Sequence, residues 1–381
     1  MQKYSIWNIS VLFVAALTGV GYSSGQEVYQ FFAFYGKYGL ITALLAPILL
    51  CGMSFLYIMT ARRKEAAGYS EILIPTGLTA LAPLVNGVVT LILVLGIVLP
   101  ITAAGSLIYQ LFGLPSWIGS LILTLFLALA MFVRNIGVIT RVMTPLMYVF
   151  LGCICFICIY TLTAGTPAAV EGPADVQSGF FSAMLVMLQY MSFNLLILYG
   201  VLTLVSREFR STKSTLLCCI GCSAAVGGTV LLQYLAFAGL GGAAAGTDMP
   251  MVYAASLISP GLRLFFQISM LFGAFGASVS CFYSLMAQLM QYRPMQRLRY
   301  YIPAGIMLFA AFLLSLWGFS NVIGYAYPVI GTIGLPIHIL LLVSFFQTFR
   351  RPSAEKTKDN TAAAPTEAKA VPPPGKDTEG A

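Results

Sequence analysis

The stretch Thr18-Gly19-Val20-Gly21-Tyr22-Ser23-Ser24-Gly25-Gln26-Glu27 interrupts an apolar run that extends from Ile6 to Phe34. As one helix that run would be roughly 43 Å long against a hydrocarbon core of about 30 Å, so it must tilt steeply or break. Three glycines and the hydroxyls of Thr18, Ser23 and Ser24 lie together about 18 Å in from Ile6, near the middle of a bilayer. Ser24-Gly25-Gln26-Glu27 then fits a capping box, with Ser24 accepting from the backbone near Glu27 and Glu27 reaching back. A helix that stops and restarts at mid-membrane depth is tolerated only where protein or a water-filled cavity satisfies the freed amides and carbonyls. The alternative is a glycine kink for close helix crossing, with Gly21 and Gly25 at four-residue spacing.

The rest of the chain is the same material. Of 381 residues, 59% are hydrophobic and 8% charged, about one third of the charged share of soluble domains. The apolar runs are continuous for 18 to 30 residues and do not alternate with period two, which predicts an all-α integral membrane protein and excludes a barrel. Ten spans are expected, near 5–34, 38–60, 78–111, 116–133, 138–163, 178–205, 213–238, 262–291, 299–317 and 322–349. With the N-terminus inside, eighteen basic residues fall on the cytoplasmic side and only Lys37 and Arg263 outside. That distribution obeys the positive-inside rule, puts both termini in the cytoplasm, and accounts for the net charge of +8 without a nucleic-acid partner. Residues 1–350 then form the membrane domain. Residues 351–381, rich in Ala, Pro, Lys and Glu, are expected to be a disordered cytoplasmic tail. The first span mimics a signal peptide, but apolar character resumes beyond Gly25 and the topology needs the span.

The sixth span carries a second polar island, Gln189-Tyr190-Met191-Ser192-Phe193-Asn194, with about twelve apolar residues on each side. It lies 171 residues after the first break, near half the membrane domain. Five spans precede it, so the two halves have opposite orientation: a 5+5 inverted repeat with helices 1 and 6 both discontinuous, as in secondary transporters. The island can also be explained as hydrogen bonding across neighbouring helices.

These residues resemble a known family. Gly21-Tyr22-Ser23-Ser24-Gly25-Gln26-Glu27-Val28 followed by Gln30-Phe31-Phe32 is similar to the first-helix signature of YkvI-type bacterial membrane proteins, with Tyr22 and Ser23 where Phe and Ala are usual. Tyr190-Met191-Ser192-Phe193-Asn194 resembles that family's sixth-helix pattern, and Pro250-Met251-Val252-Tyr253 its element before the eighth helix. The resemblance implies the amino acid/polyamine/cation superfamily, a LeuT-type fold, a bacterial inner-membrane location and an amino-acid permease. In carriers of that fold a sodium site lies between the first break and hydroxyls of the eighth helix; here Ser278 and Ser280 are available, separated by Val279.

Half-helices starting at Ser24 and near Asn194 would aim positive dipole ends at a shared cavity, suiting a carboxylate. Carbonyls freed near Thr18 to Gly21 and Tyr190 to Met191 would suit an ammonium group or Na⁺. The expected substrate site is therefore Thr18, Gly19, Gly21, Tyr22, Ser23, Ser24, Gly25, Glu27, Tyr190, Ser192, Phe193 and Asn194, with Gly19, Glu27, Ser278 and Ser280 for a coupling Na⁺ or H⁺. Glu27 is the acid placed deep in a span, where a carboxylate without a partner costs at least about 2.5 kcal/mol. It either belongs to the capping box or binds a cation or proton. His338, the sole histidine, reads as a satisfied core residue or a proton relay. Asn86, Gln110, Tyr325 and Tyr327 either line the cavity or pack, and spacing does not separate the two.

No P-loop and no HExxH is present, so no catalytic residue or cofactor is assigned. The cysteines fall inside spans as small hydrophobes; the pairs Cys155/Cys158 and Cys219/Cys222 have the spacing of a four-thiolate site, but no metal is assigned. The expected partners are a small-molecule substrate and the lipid bilayer. A membrane sensor on the same fold and an ion channel are the rival functions.

Overall fold

The computed structural model describes residues 6–66, 68–130, 132, 136–164, 179–209, 211–240, 247, 249–290 and 300–350. The tail expected to be disordered lies outside the described residues. Helices dominate, and no strand occurs among the described residues. The first crossing is divided into α1 (Ile6–Leu17), α2 (Val20–Ser23) and α3 (Gln26–Phe31). A 3-10 turn, Ala33–Tyr35, leads into α4 (Gly36–Lys64) and α5 (Tyr69–Leu73). There follow α6 (Ala82–Phe112), α7 (Ser116–Ala130), α8 (Ile136–Thr163), α9 (Phe180–Val205) and α10 (Thr212–Leu240). The last part holds α11 (Pro250–Ile258), α12 (Pro260–Leu289), α13 (Tyr301–Ser315) and α14 (Tyr327–Arg350).

Among the described residues six helices are long and apolar enough to cross a bilayer, and three shorter apolar helices accompany them. Their outer faces carry large exposed side chains such as Ile48, Phe126, Leu129, Ile306 and Phe309. A soluble bundle would bury these; in a membrane they face acyl chains, where a bare apolar surface costs nothing. The chain is a multi-pass membrane protein. The inner faces enclose α1–α3 between α9, α10 and α12.

The break in the first crossing follows from its residues. Ser23 N donates to Gly19 O at 3.0 Å, so α2 is one isolated turn. Gly25 then adopts φ +80°, a left-handed conformation that L side chains rarely take, and leads into α3. The capping box is not formed: Gly25, not Ser24, precedes the new helix. Ser24 Oγ instead accepts from Gln26 N at 3.2 Å and donates to Gly21 O at 2.9 Å, and Glu27 bonds elsewhere.

The sixth crossing corrects a second expectation. Phe180–Val205 is one uninterrupted helix, so no half-helix restarts at Asn194. This segment lacks proline, and its one glycine, Gly200, lies beyond the polar island. Asn194 Nδ2 donates to Tyr190 O, four residues back and at 2.9 Å, without displacing the ladder. Gln189 Nε2 donates to Thr332 Oγ1 at 2.9 Å, and Ser192 Oγ meets His338 Nε2 at 3.1 Å. The island is thus a polar seam between α9 and α14. Gly331 and Gly334 permit its close approach: a methyl group on either would collide with Gln189 O or with Leu196 and Ser192 Oγ.

An irregularity not expected from the sequence opens the last crossing. Val322–Ala326 is π-helical and runs directly into Tyr327. Wide turns of this kind re-aim the side chains that follow them.

Candidate functional site

Glu27 organises the region of the break. It stands in the first turn of α3, 2% exposed, with its carboxyl folded back over Gly21. A methyl group on Gly21 would overlap Glu27 Oε1, so glycine at this position is what admits the carboxyl into the gap between α1 and α3. Tyr327 Oη donates to Glu27 Oε1 at 2.7 Å. Glu27 Oε2 is buried without a hydrogen-bond partner. Tyr190 stands within electrostatic reach of the same carboxyl. Aromatic faces wall it in: Phe193 stacks on Tyr327 at 3.8 Å between centroids, Phe31 lies 5.2 Å from Tyr190, and Phe32 meets Tyr190 edge-on.

The other residues expected at the site divide into those that face the break and those that brace it. Tyr22 Oη bonds Thr229 Oγ1 and donates to Val226 O at 3.2 Å, fastening α2 to α10. Ser24 O accepts from Met251 N at 2.9 Å, so the Pro250–Tyr253 element docks on the break. Gly25 is packed against Phe237 and Met251. Ser23 is buried. Thr18 Oγ1 donates to Val14 O at 2.8 Å and closes its own turn. Asn194 lines a cavity of about 20 Å³ with Leu17, Tyr190, Met191, Val226 and Val230, room for about one water. Ser192 is turned away to His338, whose Nδ1 meets Tyr199 Oη at 3.1 Å. His338 is therefore a bonded member of the α9–α14 seam.

The two hydroxyls of α12 behave differently. Ser280 Oγ donates to Gly276 O at 3.0 Å, whereas Ser278 Oγ is fully buried with no hydrogen-bond partner. Ala277 Cβ comes within 3.9 Å of where a Gly19 side chain would start, so Ser278 follows directly on the residue that touches the first break.

Two residues of this neighbourhood were not singled out by the sequence. Tyr327 was one of four undecided polar residues, and its partner lies 300 positions away. Gln233 is fully buried with neither side-chain polar atom paired. It stands between Val230, which lines the small cavity, and Phe237, which packs on Gly25, so helical spacing puts it on the same face of α10. A lone amide within the apolar run of α10 was the available signal.

This architecture is that of LeuT-type transport proteins. No family model matches the chain. Among solved structures it resembles a manganese transporter of Eremococcus coleocola, with a TM-score of 0.60 at 11% identity, over 93% of this chain and 90% of that one. It also resembles a Na⁺-coupled sialic acid symporter in a substrate-bound outward-open state, with a TM-score of 0.59 at 14% identity, over 91% and 79% of the two chains. In sequence it is 25% identical over 343 residues to the uncharacterized membrane protein YkvI of Bacillus subtilis (strain 168), covering 88% of this chain and 94% of that protein. The family resemblance carried by the first-helix motif thus extends along nearly the whole chain, and the LeuT-type fold implied by that motif is the fold observed.

Proposed function

We propose that the protein is a secondary active transporter, not an enzyme, which moves a small amine, an amino acid or a related zwitterion by alternating access. One observation carries this reading: a carboxyl buried in the gap of a broken membrane helix, with Tyr327 on one oxygen and no partner on the other. A carboxylate at that depth must hold a proton or receive a cation. The surrounding rings of Tyr190, Phe193 and Tyr327 favour an ammonium group over an anion, because aromatic faces attract cations. Without a restart at Asn194 the expected second dipole is lost, so the weight of recognition moves to the cationic end of the substrate. Gln233 offers both a donor and an acceptor to the opposite end.

The coupling ion is Na⁺ or H⁺. The pair formed by Gly19 and the unpaired Ser278 favours Na⁺, with Ser280 already engaged by Gly276. Glu27 is the group suited to carry H⁺. A carrier with the termini inside and residues 1–350 as its transport unit fits the charge distribution in a bacterial inner membrane. Admission of a substrate requires α1–α3 to move, since the cavity beside Asn194 holds about one water.

The test is uptake into proteoliposomes of radiolabelled amino acids and amines under an imposed proton or sodium gradient. Saturable accumulation above the external concentration is the expected outcome. Binding without flux would identify a sensor, and non-saturating conductance a channel; either would overturn the carrier reading.

A further inference from the structure

We propose that Cys218 and Cys222 of α10, together with Ser10 of α1, form a binding site for a thiophilic divalent cation such as Zn²⁺ or Cd²⁺. The two thiols are four residues apart, so they share one helix face, and their sulfurs are 4.0 Å apart. With metal–sulfur bonds of about 2.3 Å that separation corresponds to an S–M–S angle of roughly 120°, close to tetrahedral or trigonal coordination. Oxygen donors are already in position. Ser10 Oγ lies 3.3 Å from Cys218 Sγ, and Ser10 O lies 3.7 Å from Cys222 Sγ. Ligand oxygens and sulfurs of a tetrahedral zinc centre are about 3.6 Å apart by the same bond lengths.

Charge and access both fit. Both thiols are buried, and binding would displace their two protons, leaving two thiolates and one M²⁺ with no net charge. A neutral complex is what an apolar membrane interior tolerates, whereas a monovalent cation on two thiolates would leave an uncompensated charge. Cys218 and Cys222 open onto a cavity of about 310 Å³ whose wall also includes Ser10, Val14, Trp7 and Tyr148. Its rim is exposed at Trp7, Tyr148 and Leu217, and Trp7 and Leu217 lie in the first two turns of α1 and α10, so the opening is at helix ends and not at mid-span. This pairing differs from the four-thiolate spacing noted in the sequence: Cys158 turns to Met251 Sδ at 3.9 Å, and Cys222 to Cys218. A cation here would bridge α10 to α1, the half-helix that precedes the break. The site shares no residue with the surroundings of Glu27, and its test does not depend on transport.

The full-length protein is titrated with Cd²⁺ while the thiolate-to-cadmium absorption is followed, and with Zn²⁺ in competition. One Cd²⁺ is expected per chain, both in the native sequence and when Cys51, Cys153, Cys155, Cys158, Cys219 and Cys281 are replaced by Ser. Cys218→Ser and Cys222→Ser should each lower the affinity at least tenfold while the protein stays monodisperse. In the native sequence Cd²⁺ should also protect Cys218 and Cys222, and no other cysteine, from maleimide as read by mass spectrometry. The second measurement needs no variant to fold. Undiminished binding by the Cys218→Ser, Cys222→Ser double variant, no binding by the native protein, or unchanged labelling of both thiols would overturn the site.

Discussion

Glu27 and Gly25 carry the two sharpest residue-level consequences. If Glu27 carries the coupling proton and does not itself hold the substrate, Glu27→Gln should abolish uptake driven by a pH gradient while leaving exchange of substrate across the membrane, whereas a carboxyl that receives the substrate's cationic group loses exchange as well; gradient-driven uptake at the native rate would reject both roles. Tyr327→Phe removes the donor to Glu27 Oε1. Hydrogen bonds to a charged group contribute about 1.5–3 kcal/mol to stability, so a lower thermal midpoint is expected together with a fall in uptake of at least tenfold. Gly25→Ala acts on the backbone instead. At φ +80° an alanine is strained, and its methyl group would meet Phe237 Cζ and Met251 Cγ. A loss of about 1–3 kcal/mol is expected, visible as a lower thermal midpoint in detergent; an unchanged midpoint would mean that the turn at Gly25 is not rigid.

At the level of helices, the first break was legible because its cause is local. Gly19, Gly21 and Gly25 lack the side chains that hold a helix, and the structure breaks at Thr18–Gly19 and again at Ser24–Gly25. The island at Tyr190–Asn194 looked alike in composition but has no such backbone weakness. Its polar atoms are satisfied by a carbonyl one turn back and by Thr332 and His338, partners about 140 residues away that one sequence does not reveal. Tyr327 escaped for the same reason: a tyrosine that bonds across 300 residues reads, in sequence, like one that merely packs. Another long-range junction closes the end of α4. Lys64 Nζ donates to Glu71 O at 2.8 Å, Ile74 O at 2.9 Å and Ser344 Oγ at 2.8 Å, so one ammonium group joins α4, α5 and α14. Lys64→Met should loosen α5 by roughly 1.5–3 kcal/mol. Amide exchange over Tyr69–Ile74 should then accelerate at least tenfold, while equal exchange in variant and native protein would show that the junction bears no weight.

For the whole molecule, the all-α membrane fold was readable from continuous apolar runs, a consequence of the bilayer as solvent. The candidate site was less so, because Glu27, Phe193 and Tyr327 come together from α3, α9 and α14, elements far apart in the sequence. The orientation is checked by impermeant labelling of single cysteines: position 37 should react from outside intact cells and position 63, exposed at the end of α4, only after permeabilisation, and the reverse would invert the topology. The central claim is that the carboxyl in the gap receives the cationic group of the substrate. Its most direct measurement is the thermal midpoint of the purified protein across amino acids, amines and small cations, for the native sequence and for Glu27→Gln. Ligands that bind the folded state raise that midpoint. The account predicts stabilisation of the native protein by one or more amino acids or amines, and its loss in Glu27→Gln; a ligand that stabilises Glu27→Gln as strongly as the native protein would contradict it.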